Sequence, residues 1–403
     1  MDKEQIIDRN IVIIGQQPWD TEIGSNCKNI AIEFSKNNRV LYINSPLDRI
    51  TLHRSKNDSK TIRRLNIIDG KEPGLVKIQD NLWNYYPDCM VESINWISST
   101  RLFSIFNYFN NRKLAKSINK AIDQLNFTDI ILFNDNEIFK GYYLNDLLKP
   151  KTSVYYSRDY MVAVDYWKKH GEALEPKLIA KNNLCVANST YLTNYCQQFN
   201  SNSFYVGQGC ELDIFYPNLS VSKNNELANI NSPIIGYVGA LQSIRLDIEI
   251  IAYIAISKPE WTIVLVGPED DFFKESNLHE IKNIVFTGIK PVESLPDYIN
   301  LFDICINPQL VNLVTIGNYP RKIDEYLAVG KPVVATKTKA MEAFKEFVYL
   351  AESKEDYVRL IEEALNQDSI NLQTRRRDFA LTHTWLNSVK AISAAIHQVE
   401  IDH

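Results

Sequence analysis

Short runs of aliphatic, β-branched and aromatic residues alternate with longer amphipathic segments along the chain. The apolar runs are mostly continuous, which is typical of strands buried on both faces of a parallel sheet. The longer segments fit the crossover helices that parallel strands require. The pattern predicts an α/β fold with strands at Asn10–Gly15, Arg39–Pro46, Asp129–Asp135, Ser153–Asp159, Asn183–Ser189, Ser203–Gly209, Ile234–Leu241, Trp261–Pro268, Ile284–Gly288, Ile304–Pro308, Pro332–Thr336 and Val348–Ala351.

The first predicted strand leads through a polar loop into a helix with one apolar face. Gly15 ends the strand, and Gly24 and Ser25 end the loop. Ser25 suits the N-cap position because its hydroxyl can accept a hydrogen bond from an amide of the first helical turn. Four apolar residues then recur at the spacing i, i+3, i+4, i+7, which predicts one face against the sheet: Cys27, Ile30, Ala31 and Phe34.

A polar segment in the middle of the chain interrupts the alternation. Residues 217–232 are rich in Asn and Ser, which is typical of a linker, and the strand–helix alternation restarts after them. A chain of 403 residues is also long enough for more than one core. We therefore expect two Rossmann-like domains, residues 1–216 and 233–383, that face each other across a cleft. A final helix in residues 384–403 is expected to pack back across that cleft.

Composition and charge narrow the class of protein. The net charge of -5 at pH 7 argues against a nucleic-acid partner, since such binders usually carry a basic domain. The six cysteines form no C-x-x-C pair, which favours a reducing compartment. The N-terminus has no apolar segment of the signal-peptide kind, and no apolar run approaches the ~20 residues of a spanning helix. These features predict a cytoplasmic protein.

One segment, YPRKIDEYLAVGKPVVAT (residues 319–336), combines charged residues with clear helix boundaries. Pro320 suits a first helical turn, and Gly330 suits a helix end. Lys322 and Glu325 are three residues apart and so lie on one side of the helix start. A helix N-terminus with an added cation favours a diphosphate, and Glu325 could accept hydrogen bonds from sugar or ribose hydroxyls. Read alone, the two residues would also suit an ordinary surface ion pair.

This segment resembles the donor-site motif of retaining glycosyltransferases with the GT-B fold, especially the bacterial glycan-biosynthesis type of glycosyltransferase family four. In that motif proline, lysine and glutamate precede the helix stop and the following strand. Other segments resemble the family in the same order along the chain: the Gly15–Ser25 loop, SRDY (157–160), GCELDIFYP (209–217), IIGYVGAL (234–241), IVLVGP (263–268), VFTG (285–288) and LPDYINLFDICINP (295–308). The resemblance is strong in the C-terminal half and weak between residues 51 and 126.

The resemblance implies an enzyme that moves a sugar from a nucleotide-diphosphate sugar to a hydroxyl of a glycan or lipid-linked acceptor in cell-surface polysaccharide synthesis. It implies a donor site formed by Gly15, Gly24, Ser25, Gly239, Arg245, Gly288, Gly317, Asn318, Lys322 and Glu325. Family four commonly carries a glutamate where this chain has Gly317. This departure from the family motif bears on how the hydroxyls of the donor sugar are held and on whether the transfer is retaining. Arg245 would also suit an exposed arginine at a helix start.

The expected chemistry is electrostatic. A departing nucleoside diphosphate leaves negative charge on its phosphate oxygens, and fixed cations stabilise that charge. Lys322 and Arg245 would supply the cations without a metal ion, as the resemblance implies for GT-B enzymes, and no cofactor is expected.

Two carboxylates are candidates for activating the acceptor hydroxyl. Asp135 and Asp159 stand at the carboxyl ends of predicted strands, where sites in open α/β sheets lie. Either could instead cap the helix that follows. Asp159 is favoured because Arg158 and Tyr160 flank it with further polar groups.

Two stretches of the N-terminal half would suit peripheral contact with an anionic inner membrane face. The first is the basic run 54–64, which would also suit a solvated loop. The second is the aromatic stretch 96–109 beside Arg101, Arg112 and Lys113, which would also suit helices that cover the first sheet.

Three other functions compete with transfer. A non-hydrolysing nucleotide-sugar epimerase would share the fold, but it needs acid and base groups that the sequence does not make evident. A non-catalytic nucleotide-sugar-binding protein is the second alternative, favoured by Gly317. A nicotinamide-dependent oxidoreductase is disfavoured because the first strand–helix turn, GQQPWDTEIGS, does not spell G-x-G-x-x-G.

Overall fold

The computed structural model describes residues 5–21, 25–215, 230–317 and 319–401, and it divides into two compact units. The first unit takes the described residues up to Gly207 and those from Trp385 onward, and the second runs from Gln208 to Thr384. Of the predicted linker, only residues 230–232 are described.

The first unit is a three-layer α/β structure. Its described strands are β1 (Asn10–Ile14), β2 (Arg39–Ile43), β3 (Leu47–Asp48), β4 (Leu75–Gln79), β5 (Leu82–Tyr85), β6 (Met90–Val91), β7 (Ile131–Asp135), β8 (Thr152–Ser157), β9 (Leu184–Ala187) and β10 (Ser203–Tyr205). Within the described residues the main sheet has the order β10-β9-β8-β7-β1-β2-β5-β4 and is parallel except for β4, while β3 and β6 pair separately. Its order reverses direction between β1 and β7, the point where open α/β sheets bind ligands.

The helices of this unit cover both faces of the sheet. They are α1 (Asn26–Ser35), α2 (Arg49–Arg54), α3 (Ser59–Ile68), α4 (Thr100–Gln124), α5 (Leu144–Leu148), α6 (Asp165–Lys181) and α7 (Thr190–Gln197). Ser25 caps α1 as predicted and accepts from the Lys28 amide at 3.3 Å. The predicted apolar face of α1 is buried against β1 and β2 on one side of the sheet, whereas α4 packs on the other.

The C-terminal helix belongs to the first unit. This helix follows all the elements of the second unit in the chain, yet Val389, Ile392 and Ile396 pack beside α1 on the first sheet. Near its end, Glu400 accepts two hydrogen bonds from the Arg9 guanidinium at 2.8 and 2.9 Å.

The second unit is a doubly wound parallel sheet. Its described strands are β11 (Ile234–Val238), β12 (Thr262–Val266), β13 (Ile284–Gly288), β14 (Ile304–Asn307), β15 (Val333–Thr336) and β16 (Tyr349–Ala351). Their order, β13-β12-β11-β14-β15-β16, is the Rossmann order 3-2-1-4-5-6. The described helices are α8 (Ile248–Ser257), α9 (Asp271–Lys274), α10 (Leu295–Leu301), α11 (Arg321–Val329), α12 (Lys354–Gln367) and α13 (Ile370–Ala380), followed by α14 (Trp385–Ile401) in the first unit.

Each predicted strand has a counterpart, but the sequence pattern missed β3 to β6. Of these, β4 and β5 form an antiparallel hairpin at the edge of the first sheet. Most of β4 is exposed, so it lacks the continuous apolar run that marks the interior strands. The available signal was the Asp80-Asn81 turn, where Asn81 has a φ of +61° as a tight hairpin turn requires.

Candidate functional site

Glycines follow the first two strands of the second sheet at its carboxyl edge. Gly239 follows β11 with a φ of +141°, and Gly267 follows β12 with a φ of +145°. A Cβ atom on Gly267 would lie 2.0 Å from the carbonyl oxygen of Gly239, so the two turns touch through their backbones. The Gly267 amide donates to the carbonyl of Gly288, which ends β13, at 3.0 Å. Side chains at these turns would block the close approach that a phosphate group needs.

Lys322 lies over the first of these turns. It is the second residue of α11, and its ammonium donates a hydrogen bond to the hydroxyl of Tyr237 near the end of β11. The ammonium also lies 4.2 Å from the centroid of the Tyr237 ring. A Cβ on Gly239 would come within 2.9 Å of the same ammonium. The cation is therefore held at the carboxyl end of β11, where an anion bound at the glycine turns would meet it.

Buried polar contacts hold the start of α11 in place. Asp324 is fully buried and accepts from the Tyr319 hydroxyl at 2.8 Å and from the Cys210 thiol at 3.2 Å. His383 Nδ1 lies 2.6 Å from the other carboxylate oxygen. Burial, together with the Asp324 charge, raises the pKa of the Cys210 thiol well above its usual range. These contacts fix the helix turn that carries Lys322.

The other end of α11 is closed as the sequence predicts. Gly330 caps the helix in the left-handed conformation with a φ of +88°. The guanidinium of Arg377 from α13 donates to the Val329 carbonyl at 3.1 Å, and Arg376 donates to the Gly330 carbonyl at 3.3 Å. A left-handed glycine and cationic side chains are the usual partners of the carbonyls at a helix end.

Arg245 lies on the loop between β11 and α8, at the same edge of the sheet. Its carbonyl accepts from the Leu310 amide at 2.8 Å, which ties this loop to the segment leading into α11. Asn312 strengthens the connection by donating to the Ile244 carbonyl at 2.9 Å. Among the described residues, the Arg245 guanidinium has no hydrogen-bond or ion-pair partner, and its side chain is half-buried. A cation without a partner at this edge is available to an anionic ligand.

Glu325 is the fifth residue of α11 and is partly exposed. Burial raises the pKa of its carboxyl, whereas the charges of Arg321 and Lys322 lower it in part. No hydrogen-bond donor among the described residues contacts this carboxylate. Gly317 is buried in the turn that precedes α11, and Asn318 lies outside the described residues.

The carboxyl edge of the first sheet carries a second polar cluster, centred on Arg158. Its guanidinium, 18% exposed, donates to Asp135 at 2.8 Å, to Asp159 at 2.7 Å and to the Gln16 side chain at 2.7 Å. Burial lowers the pKa of Arg158, but the charges of Asp135 and Asp159 outweigh it and raise that pKa. Arg158 therefore joins the loops after β1, β7 and β8.

The two carboxylates of this cluster differ in their access to solvent. Asp135 is 0% exposed, and its second oxygen has no hydrogen-bond partner among the described residues, although the Cys27 thiol lies beside it. Asp159 is 36% exposed and keeps one face open while Arg158 holds it. Among the described residues neither aspartate caps the helix that follows it, since α5 and the short helix Met161–Ala163 have no side-chain cap. Asn136 accepts hydrogen bonds from the amides of Arg158 and Asp159 at 3.0 Å each. Asp135 can orient the arginine, and only Asp159 can meet a substrate from solvent.

The predicted loop residues of the first unit lie at this edge as well. Gly15 follows β1, and a Cβ there would overlap the ring of Tyr42 at 2.2 Å. Ser25 is nearly buried at the start of α1, and Gly24 lies outside the described residues. Gln16 lies between them in the chain, and its side chain accepts a hydrogen bond from Arg158.

The sequence interpretation missed Tyr237, Gly267 and Gln16, and it named Arg158 only as a neighbour of Asp159. Each has a recognisable local signal. Tyr237 and Gly267 belong to strand-to-turn segments that the pattern does detect, and Arg158 is a cation directly after a buried strand. The sequence pattern does not show which residue each of these side chains contacts.

Comparisons with known proteins bear on both units. The family model for glycosyl transferases group 1 matches residues 232–367. TuaH of Bacillus subtilis, named as a teichuronic acid biosynthesis glycosyltransferase, is 30% identical over 189 residues, which cover 45% of this chain and 47% of TuaH. The chain thus spans about half the length of the curated relative it matches.

Solved structures match over nearly the whole chain. Sucrose-phosphate synthase of Thermosynechococcus elongatus has a TM-score of 0.67 at 14% identity and covers 98% of this chain and 100% of its own. HepE of Anabaena, solved with UDP, has a TM-score of 0.65 at 13% identity over 97% of this chain and 100% of its own. The trehalose 6-phosphate synthase of Burkholderia multivorans has a TM-score of 0.63 at 11% identity over 98% and 100%. Likeness at these identities establishes the fold.

The chain has the GT-B fold. Its second unit carries the glycosyl transferases group 1 match, and that match contains the glycine turns, Arg245 and the start of α11. The predicted fold class, two Rossmann-like domains of the GT-B type, is confirmed. None of the helices in the described residues combines the length and the apolar character that a membrane-spanning helix needs.

Proposed function

We propose that this GT-B chain transfers a sugar from a nucleoside-diphosphate sugar to a hydroxyl of a glycan or lipid-linked acceptor. The observation that carries the proposal is the position of the Lys322 ammonium, held by Tyr237 over the Gly239 turn. Arg245, on a loop tied to the segment before α11, adds a second cation at the same edge. A held lysine and a second cation at the same edge, beside backbone turns without side chains, suit a diphosphate.

The donor is proposed to be a uridine-diphosphate sugar. HepE, which shares the fold, was solved with UDP and with UDP-glucose. In this chain the diphosphate would lie at the carboxyl edge of β11 to β13, against Gly239 and Gly267. Glu325, which has no hydrogen-bond donor among the described residues, would accept from ribose or sugar hydroxyls.

The proposed reaction is the transfer of a glycosyl group from the donor to the acceptor. The bond between the anomeric carbon and the phosphate oxygen breaks, and the nucleoside diphosphate leaves with the electron pair. Lys322 and Arg245 stabilise the charge that develops on that leaving group. The acceptor oxygen forms the new bond to the anomeric carbon, and its proton passes to the Asp159 carboxylate, with Asp135 and Arg158 as positioning residues.

The acceptor is proposed to belong to a cell-surface polysaccharide, a class supported by the name of TuaH. Such acceptors suggest work at a membrane surface, and α4 offers a face for it. Phe106 and Phe109 are 49% and 52% exposed, and Arg112 and Lys113 follow on the same exposed side. An apolar face with a basic rim suits an anionic bilayer surface. The basic run 54–64 contributes less, because Arg63 and Arg64 stack on Tyr86.

A donor panel tests the proposed reaction. UDP-sugars should raise the thermal unfolding temperature, because a ligand at 100 times its dissociation constant stabilises by ~2.7 kcal/mol. Slow donor hydrolysis without acceptor and transfer with a glycan acceptor should follow. Epimerised donor formed without acceptor would indicate an epimerase instead, and binding without hydrolysis or transfer would indicate a non-catalytic protein.

Sedimentation with anionic liposomes tests the membrane contact separately. The protein should pellet at low salt, and a Phe106→Ser, Phe109→Ser variant should stay in the supernatant. Equal pelleting with neutral lipid, or none at low salt, would contradict this contact and leave the transfer reaction untouched.

A further inference from the structure

A buried carboxylate, Glu175 of α6, has contacts that lead to the segment carrying Asp159. Its side chain is 1% exposed. Burial raises the pKa of its carboxyl, and the hydroxyls of Tyr155 and Tyr195 lower it in part. The ionised form is therefore less favourable in the fold than in water. An apolar side chain of similar volume would fill this place without that cost, so packing alone does not account for the carboxylate.

One route from this carboxylate to the Asp159 segment is a chain of hydrogen bonds. Glu175 accepts from the Tyr155 hydroxyl at 2.7 Å, and that hydroxyl accepts from the side-chain amide of Asn136 at 2.8 Å. The Oδ1 atom of Asn136 accepts from the backbone amides of Arg158 and Asp159 at 3.0 Å each. Tyr155 and Asn136 are both 0% exposed, so water does not compete for these bonds.

The direction of these hydrogen bonds decides how the Asn136 side chain is turned. An ionised Glu175 carboxylate can only accept, so it takes the hydroxyl proton of Tyr155. The Tyr155 oxygen is then left as an acceptor, which requires the amide nitrogen of Asn136 on its side. The carbonyl oxygen of Asn136 is thereby turned toward the amide of Asp159. Asn136 also has a φ of +53°, a conformation that asparagine adopts more readily than most residues.

A second route reaches the other side of Asp159 through aromatic rings. The second carboxylate oxygen of Glu175 accepts from the Tyr195 hydroxyl at 3.1 Å. The Tyr195 ring meets the ring of Tyr160 edge to face with centroids 5.3 Å apart, and Tyr191 meets the same ring at 5.9 Å. Tyr160 follows Asp159 directly in the chain. The two oxygens of one buried carboxylate thus support the segment before and after Asp159.

We propose that Asn136 and Glu175 are positioning residues for the transfer. Asn136 holds the backbone of Asp159, while Glu175 orients Asn136 through Tyr155 and supports the far side of Asp159 through Tyr195. The inference rests on the proposed function, in which Asp159 receives the proton of the acceptor. Both side chains are buried, so they act through Asp159 rather than on a substrate.

A double-mutant cycle tests whether Asn136 acts through Asp159. Asn136→Gly keeps the positive φ and removes the side chain, and it should lower the turnover number for transfer about tenfold while the KM for the donor stays unchanged. In an Asp159→Asn background the same substitution should cost less than about twofold, because the residue that it positions is already lost. A tenfold loss in that background, or none in the wild type, would overturn the proposal.

A matched control separates positioning from general stability. Asn38 is also buried, and its side chain donates to the backbone carbonyls of Ile6 and Phe34 at 3.0 and 3.1 Å. It lies just before β2, at the opposite edge of the sheet. Asn38→Gly should lower the unfolding temperature and keep the turnover number when both variants are assayed well below that temperature. Equal turnover losses in Asn38→Gly and Asn136→Gly would overturn the positioning role.

Two further variants test the role of Glu175. Tyr155→Phe removes only the hydroxyl between Glu175 and Asn136, and it should lower turnover by about three- to tenfold. Glu175→Gln should act in the same direction, because an amide nitrogen cannot accept from a tyrosine hydroxyl. The control is Tyr85→Phe, which loses a hydroxyl 3.4 Å from the Asp88 carboxylate in the same unit and should keep turnover. Unchanged turnover in Tyr155→Phe and Glu175→Gln would remove Glu175 from the proposal.

Amide hydrogen exchange measured by NMR distinguishes this inference from the proposed function. The Asp159 amide should exchange about tenfold faster in Asn136→Gly than in the wild type, because its hydrogen bond is lost, and Asn38→Gly should leave it unchanged. Faster exchange in a chain that shows no transfer would keep the positioning of the Asp159 segment and remove the proposed reaction. Transfer by the wild type with unchanged exchange in Asn136→Gly would remove the positioning role alone.

Discussion

The ammonium of Lys322 donates a hydrogen bond to the hydroxyl of Tyr237 and lies 4.2 Å from the centroid of its ring. The contact joins the first turn of α11 to the end of β11, and it carries the lysine to the glycine turn at Gly239. The flexible Lys322 side chain is thereby held in one position. Less reorganisation is then needed when it stabilises a leaving diphosphate.

Removing the cation should abolish most of the transfer. We expect Lys322→Ala to fold normally and to lower the turnover number by about 10²–10³, by analogy with the loss of one oxyanion donor. Tyr237→Phe keeps the ring and loses only the hydroxyl, so its loss should be about tenfold or less. Steady-state kinetics with a UDP-sugar measure both, with the exposed Lys282→Ala as the control. Near-normal turnover of Lys322→Ala would remove this residue from the site.

A side chain at Gly239 should disturb both the backbone and the lysine. Gly239→Ala places a Cβ at a φ of +141° and 2.9 Å from the Lys322 ammonium. We expect a stability loss of about 1–3 kcal/mol together with a marked loss of donor binding. Gly70→Ala, at a φ of +74° with open space around it, should lose stability without losing donor binding. Urea unfolding and donor titration distinguish them, and equal donor binding of both variants would contradict the assignment.

The two carboxylates beside Arg158 should respond differently to amidation. Asp159→Asn should fold normally and lower transfer by roughly 10², because a proton acceptor at the exposed position is lost. Asp135→Asn removes the buried partner of a guanidinium and should lower the free energy of unfolding by about 3 kcal/mol. Urea unfolding and transfer assays on both proteins test this contrast. An Asp159→Asn enzyme with full transfer would remove that residue from catalysis.

The stability that the attachment of the C-terminal helix gives to the first unit should depend on pH. The hydrogen-bonded ion pair with Arg9, opposed in part by burial, lowers the pKa of Glu400 from its usual 4.5 to about 2. A lowered native pKa stabilises the fold above the unfolded value of about 4.5, and this contribution is lost as the pH falls toward about 2. Glu400→Gln should therefore cost about 1–2 kcal/mol at pH 7.

The stability gap between the wild type and Glu400→Gln should narrow below about pH 4.5. Urea unfolding at several pH values measures the gap, with the exposed Glu172→Gln as the control. A gap that stays constant down to low pH would show that the substitution acts through packing rather than through charge.

Transfer should survive chelation. The charge on the leaving diphosphate is assigned here to Lys322 and Arg245, so a divalent cation is not required for that step. Assays with EDTA present throughout should give most of the activity of the untreated enzyme. Complete loss in EDTA, restored by Mg²⁺ or Mn²⁺, would contradict the metal-free reaction.

The sequence by itself determined the elements whose signals are local. Apart from the edge hairpin β4–β5, the strands of both sheets appear as largely continuous apolar runs, because strands buried on both faces need no polar alternation. Gly330 marks the end of α11 and Ser25 marks the start of α1, because a helix end satisfies its free backbone groups through the residues next to it. Lys322 and Glu325 could be placed together for the same reason, since helical geometry alone brings them to one turn.

Only the tertiary structure decided which groups meet across the chain. Lys322 contacts Tyr237, which is 85 residues away in the sequence, and Arg158 contacts Gln16, which is 142 residues away. The sequence favoured Asp159 over Asp135 only because polar residues flank it, whereas the structure separates the two carboxylates by their burial. The amphipathic pattern of the C-terminal helix does not indicate which element the helix packs against, and the structure places it beside α1. Local patterns report which face of an element is apolar, whereas the partner of that face depends on how parallel strands order themselves in the sheet.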